Sequence, residues 1–337
     1  MSGVAQAIGF RSRARASGTA TALVLQRQGA LIALVVLIVF ASLRYDGFLS
    51  EQNLTSVLAS NATIGLISLG MAFVIMTGGI DLSVGSTLAL GSVVAAHASG
   101  AGIIGGLAAG VGAGAGIGLF NGLVITKLGI QPFIVTLATL LGARGLALTL
   151  ADNRSVDVSF ESGFTTLGET KLLGLPYPAW ILLAAFAIGI VVLRYTRFGR
   201  HVLAIGGNEE AARLMGLRTD RIKLAVYVLS GALAGLAGVL LASQNYAGQP
   251  TAATGYELSA IAAVVVGGTL LTGGMGSIAT TFVGFMLLAL VFNVLNFESG
   301  EGTINLTVYW QTVIRGAFLL VVVMLQARLL QRARQEE

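Results

Sequence analysis

The sequence predicts an all-α protein: a polytopic transmembrane bundle of about ten helical spans, with both the N- and C-termini in the cytoplasm. Three observations carry this. Of 337 residues, 55% are hydrophobic and only 10% are charged, whereas a soluble domain carries about 25% charged residues. Apolar runs long enough to cross a bilayer recur along the whole chain. The basic residues sit between those runs in a one-sided pattern. Glycine, at 46 residues, is well above its ordinary share. Membrane helices tolerate it because it lets backbones approach closely.

The same composition excludes several classes. There is no cysteine, so no disulfide or thiolate site exists, and two histidines argue against a His-based metal cluster. No metal and no cofactor is expected. The net charge of +5 does not point to nucleic acid, because the positive residues lie at the chain ends and in one central loop.

Residues 1–24 form a basic N-terminal segment with Arg11, Arg13 and Arg15. The apolar run after it has no convincing cleavage site and reads as an uncleaved first span. The expected spans are 25–43, 57–77, 82–99, 102–126, 132–151, 178–195, 222–243, 257–272, 276–297 and 306–327, within a single membrane domain over 25–327. The third and eighth are short and flanked by Gly-rich breaks, as broken or partly re-entrant helices would be. Residues 328–337 form a short tail. With the N-terminus inside, the cytoplasmic segments hold 15 Lys and Arg and the external segments hold three, Arg44, Arg154 and Lys171. That is a strong positive-inside signal. Arg144 and Arg315 fall within spans. The longest external loop, 152–177, is acidic.

Between spans two and three lies "MTGGIDLSVGS", residues 76–86. An ionisable residue at membrane depth is a functional candidate by default. Here Gly78 and Gly79 permit a turn, and Asp81 stands just ahead of a helix opening at Leu82–Ser83. Its carboxylate is placed to cap that helix at the N–H of Ser83 or Val84, with the helix dipole favouring the anion. Sugar contact and an ion pair with Arg144 are the alternatives. A similar stretch, "TGGMGS", begins at Thr272. Both fall near the cytoplasmic side, whereas two five-span halves would place them on opposite sides. The match therefore reads as shared helix-breaking chemistry and not as a repeat.

Span four carries Gly102, Gly106, Gly110, Gly114, Gly118 and Gly122, every fourth residue. On a helix this is a flat stripe made for close helix contact. Arg144 in span five has no acid within four residues; backbone carbonyls or Asp81 are its expected partners. Asn61, Asn121, Asn293 and Asn296 are polar groups in or near spans. Each is expected either to bond neighbouring helices or to line a polar pathway.

The central loop, 194–223, holds seven positive residues. Within it "GGNEEAARLMG" has the signals of a two-turn helix over 209–215. Asn208 is placed to cap it, Glu209 and Glu210 suit its positive end, and Gly216 suits a left-handed C-cap. A helix that short is marginal in water. Its apolar residues Ala211, Leu214 and Met215 need a surface, which is either the membrane and the protein's own spans or a partner protein. Ala212 and Arg213 complete the segment.

Four stretches make a family recognisable: "MAFVIMTGGIDLSVGS" (71–86), "NGLVITKLGIQPFIVTLATLLGARG" (121–145), "FGRHVLAIGGNEEAARLMGL" (198–217) and "GYELSAIAAVVVGGTLLTGGMGSI" (255–278). In residues, order and spacing the chain resembles the permease subunits of ATP-binding-cassette (ABC) sugar importers, in the ribose/xylose/galactofuranose-type branch. The resemblance covers roughly residues 30–327, and the C-terminal "NFESGEGTINLTVYWQTVIRGAFLL" looks most like galactofuranose-type members.

The resemblance implies a multi-pass permease of the bacterial cytoplasmic (inner) membrane that imports a monosaccharide and does no chemistry itself. The implied partners are ABC ATPase subunits, a second permease subunit (the same chain or a paralogue), a periplasmic or surface sugar-binding protein, and membrane lipid. It makes 196–221 the coupling loop, with residues 208–217 entering a cleft of the ATPase subunit. It makes the external loops 152–177 and 244–257 candidates to receive the binding protein. The sequence agrees on one point: no G-x-x-x-x-G-K-[ST] motif occurs, and none of the three lysines follows a glycine, so the chain supplies no P-loop for ATP. The rivals are the same scaffold for nucleosides or branched-chain amino acids, and an ion-coupled transporter with Asp81 as the coupling acid.

Overall fold

The computed structural model describes residues 29–301, and beyond them residues 310, 313, 314, 316, 317, 320 and 324. The basic N-terminal segment, the expected span 306–327 with Arg315, and the tail lie largely or wholly outside the described residues.

The chain opens with α1 (Gly29–Arg44). Next come α2 (Glu51–Ser60) and α3 (Ala62–Met76), bent by 50° at Asn61 so that together they replace the expected second span. All fifteen residues of α3 are buried. A helix apolar on every side belongs at the centre of a bundle. Helix α4 (Val84–Ala98) passes through a 3-10 turn, Ser99–Ala101, into α5 (Gly102–Leu128), and α6 (Pro132–Leu150) follows. Gly102 (φ +78°) makes the bend between α4 and α5.

The acidic connection then contains β1 (Val156–Asp157), α7 (Thr166–Glu169), and the hairpin of β2 (Lys171–Leu172) with β3 (Leu175–Pro176). Next are α8 (Tyr177–Tyr195), α9 (Arg197–Gly207), α10 (Glu209–Leu214) and α11 (Thr219–Gln244). Strand β4 (Ala247–Gly248) pairs antiparallel with β1, and α12 (Tyr256–Val266) and α13 (Ile278–Glu301) complete the described elements. Among the described residues the all-α expectation thus holds apart from four two-residue strands, all in connections.

Among the described residues, five helices, or six with the bent α2–α3 pair, are long and apolar enough to cross a membrane. Ten spans are expected from hydropathy, and the expected tenth, 306–327, lies largely outside the residues counted. Helices α4 and α5, expected as two spans, follow each other through the 3-10 turn without a loop. Helices α1 and α12 are apolar but short. Where the expected eighth span ran to 272, α12 stops at Val266. Gly268 takes a positive φ, and its N–H and that of Thr269 close back on Val265 and Val264. This is a Schellman ending, which satisfies the last carbonyls and stops the helix.

Helix α11 is the hub, packed on α5, α4 and α3. The glycine stripe explains its closest contact. Gly114 faces the backbone of Gly231 and Gly235, Gly118 faces that of Tyr227 and Val228, and Gly122 lies on Leu224. Gly106 lies beneath the Phe164 ring.

Candidate functional site

Two regions carry the unusual chemistry: the break between α3 and α4, and the short helix α10.

At the break, α3 ends in a second Schellman motif. Gly78 (φ +82°) donates to the Ile75 carbonyl and Gly79 donates to that of Val74. Asp81 follows, fully buried. Its Oδ1 accepts from the Ser83 N–H (3.0 Å) and the Ser83 hydroxyl (2.6 Å), and Oδ2 accepts from the Ser230 hydroxyl of α11 (2.9 Å). The N-cap position of α4 belongs to Ser83, not Asp81. Asp81 acts two residues earlier, fixing the turn through a bond from its side chain to the backbone two residues on. The Asn121 amide of α5 donates to the Ser83 hydroxyl (3.0 Å). One carboxylate therefore ties together the start of α4, α5 and α11. Neither Ser230 nor its role was legible beforehand, because a lone serine in an apolar run gives no signal of its partner.

The break does not stand alone. The second "TGG" stretch meets the first: the Gly274 N–H donates to the Met76 carbonyl (3.1 Å), and Gly273 lies against the Gly78 backbone. Gly206, at the end of α9, packs on the same Met76 carbonyl and on Gly274. Three glycine segments thus converge where α3 ends. Their shared spelling was the available clue, and it marks spatial contact as well as shared breaker chemistry.

Arg144 does not pair with Asp81. Its guanidinium donates to the carbonyls of Pro250 (2.6 Å) and Ala252 (2.7 Å), in the segment between β4 and α12. Glu257 lies within its electrostatic reach. Asn61 sits at the α2–α3 bend and donates to the Val57 carbonyl. Asn293 of α13 exchanges amide hydrogen bonds with Asn53 of α2 (2.9 and 3.2 Å). Asn296 lies three residues further along α13.

Helix α10 is short and well capped. The Asn208 side chain accepts from the Ala211 N–H (2.9 Å), with Glu209 and Glu210 in the first turn. Gly216 (φ +84°) and Leu217 donate back to Arg213 and Ala212, a third Schellman ending. The helix ends at Leu214, with Met215 as its C-cap. Lys223 of α11 pairs with Glu209 (2.5 Å), and Arg213 lies 3.4 Å from both Glu209 and Asp220. Ala212 faces inward, but Leu214 is 84% and Met215 73% exposed.

At the opposite end of α11, the connections 152–177 and 244–257 meet through the β1–β4 ladder and the stacked rings of Phe160 and Tyr246. A hydrogen bond with Glu169, together with its charge, raises the Tyr246 phenol above its ordinary pKa. Among the described residues, no cluster of three or more His, Cys, Asp or Glu is placed to hold a metal.

A bundle of apolar helices, interrupted by glycine breaks and bearing a capped, outward-facing helix in a charged loop, defines a multi-pass membrane protein of the permease class. The chain belongs to the family described as branched-chain amino acid transport system / permease component, which matches residues 53–323. Its relatives include the ribose import permease protein RbsC of Bacillus subtilis, 42% identical over 90% of this chain and 94% of that one. The protein of the same name in Escherichia coli K12 is 39% identical over 89% and 93%. The L-arabinose transport system permease protein AraH of Escherichia coli K12 is 40% identical over 88% of each chain. No solved structure matches the chain.

Proposed function

We propose that this chain is the membrane-spanning permease subunit of an ABC importer that carries a monosaccharide. One observation carries the reading: similarity to relatives named as ribose and L-arabinose permeases over about nine-tenths of the chain. The family description favours a second reading, a branched-chain amino acid on the same scaffold. The sugar names of the relatives with near-complete coverage favour the first.

The chain has ten spans in the bacterial inner membrane, with both termini in the cytoplasm; the positive-inside asymmetry supports this orientation. It has no catalytic site of its own. ATP is bound and hydrolysed by separate subunits, in keeping with the absent P-loop. Residues 208–216 dock into the ATPase subunit. Support comes from the exposed Leu214 and Met215 on a helix held in shape by its caps. Nucleotide-driven movement of α10 passes into the bundle through α9 and α11, which flank it. A second permease subunit completes the pore. A soluble sugar-binding protein docks on the outer connections, 152–177 and 244–257.

Inside-out control of energy tests the reading. In vesicles reconstituted with the ATPase and binding protein, uptake of radiolabelled pentose is expected to need ATP on the ATPase side and to survive an uncoupler. Uptake that stops with the uncoupler while ATP is held constant would overturn the ABC assignment. Under the same conditions, uptake of leucine but not of pentose selects the second reading.

A further inference from the structure

We infer that the ATPase-docking surface is bipartite: the turn between α5 and α6 forms its second half, and the cleft between the two halves receives an uncharged side chain of the ATPase subunit. This rests on the coupling role proposed for α10.

Size is the first argument. A stable protein interface buries roughly 800 Å² per partner and takes about 20–30 residues a side. Helix α10 has six residues, and one of them, Ala212, faces inward. It cannot supply such a surface alone. The structure shows what lies beside it. A cleft of about 380 Å³ is walled on one side by Gly129–Pro132 and on the other by Glu209, Arg213, Asp220 and Lys223. Glu209 and Arg213 of α10 are part of its wall, so a partner seated on that face of α10 also meets the cleft.

The turn is also shaped for contact. Gly129 (φ +66°) ends α5 in the left-handed conformation, and Pro132 starts α6. The two helix ends hold a short turn between them. On it, Leu128 is 68% and Ile130 38% exposed. Lys127, Gly129 and Gln131 are exposed as well, and that polar company keeps the turn out of the lipid core. Ile130 on the turn lines the cleft, and Leu214 on α10 lines a second hollow that shares Glu209 and Arg213 with it.

Charge selects the occupant. The two acids and two bases of the cleft wall pair among themselves: Lys223 with Glu209, and Arg213 with both Glu209 and Asp220. No charge is left over, so a charged insert would lose its hydration without gaining a partner. An apolar or amide side chain fits.

The chain has no cysteine, so single-cysteine variants report from one position each. Leu214→Cys, Ile130→Cys and Leu137→Cys are labelled with a benzophenone maleimide in membranes containing the full transporter and then irradiated. Leu137 is exposed on α6, within its apolar span. Adducts with the ATPase subunit are expected from Leu214→Cys and Ile130→Cys, and none from Leu137→Cys. An ATPase adduct from Leu214→Cys with none, or only lipid adducts, from Ile130→Cys overturns the bipartite surface and leaves the coupling reading intact. No ATPase adduct from either position overturns both. In parallel, Ile130→Asp should lower the ATPase recovered with the affinity-purified permease by about fivefold or more, the scale of a well-packed interface residue, while Ile130→Val leaves it unchanged. Full recovery with Ile130→Asp overturns the proposal.

Discussion

At Asp81 three donors converge on one buried carboxylate, from Ser83 twice and from Ser230 once. This arrangement separates the geometry of the side chain from its charge. Asn keeps an oxygen facing Ser83, and the Ser230 hydroxyl can rotate to accept from its amide. Asp81→Asn should therefore leave thermal unfolding in detergent and transport largely unchanged. Asp81→Ala strands the Ser83 and Ser230 donors in an apolar interior, at about 1–3 kcal/mol for an unsatisfied buried group, and should lower the midpoint clearly. A coupling acid would behave differently, with Asn abolishing transport as fully as Ala. The same reasoning applies at Asn208, whose side chain holds the first turn of α10. Asn208→Ala should cost about 1 kcal/mol of local helix stability, read as faster amide exchange over 209–214 and weaker ATPase recovery.

Among the elements, α5 and α11 depend on each other most. Their glycines put backbone against backbone, so a side chain on that face has nowhere to go. Gly114→Leu would drive into Gly231 and Gly235. Overpacking of this kind costs about 1–3 kcal/mol or more, and the variant should fail to accumulate in membranes or should melt well below the parent. Gly112 supplies the control on the same helix, because an added Cβ there meets nothing within 4 Å. Gly112→Leu should fold and melt close to the parent. Equal damage from both would mean that glycine content, and not the α5–α11 contact, is what matters. The six-glycine period made this face legible in advance. The partner helix was not legible, because a stripe shows only that something lies close.

Across the whole molecule, the glycine segments at 78–79, 206–207 and 273–274 join the broken helices to the loop that carries α10. An added Cβ at Gly206 would overlap the Met76 carbonyl and approach the Gly274 N–H, whereas one at Gly207 meets nothing within 4 Å. Gly206→Ala should therefore impair sugar uptake in reconstituted vesicles while Gly207→Ala does not. ATPase recovery with Gly206→Ala should stay near the parental value, because α10 itself is untouched. Loss of uptake with recovery intact would separate movement within the bundle from docking upon it.

The sequence by itself determined the membrane class, the helical bundle, the breaks at Gly78–Gly79 and the short capped helix over 209–215. These follow from local physics: hydropathy, the φ > 0 freedom of glycine and the donor–acceptor needs of helix ends act within a few residues. Tertiary structure decided the partners. It gave Asp81 to Ser230 and Arg144 to two carbonyls, paired Asn53 with Asn293, and brought two "TGG" stretches about two hundred residues apart into contact. These outcomes depend on which helices lie side by side. In an apolar bundle many neighbours satisfy the same hydropathy, so only packing selects among them.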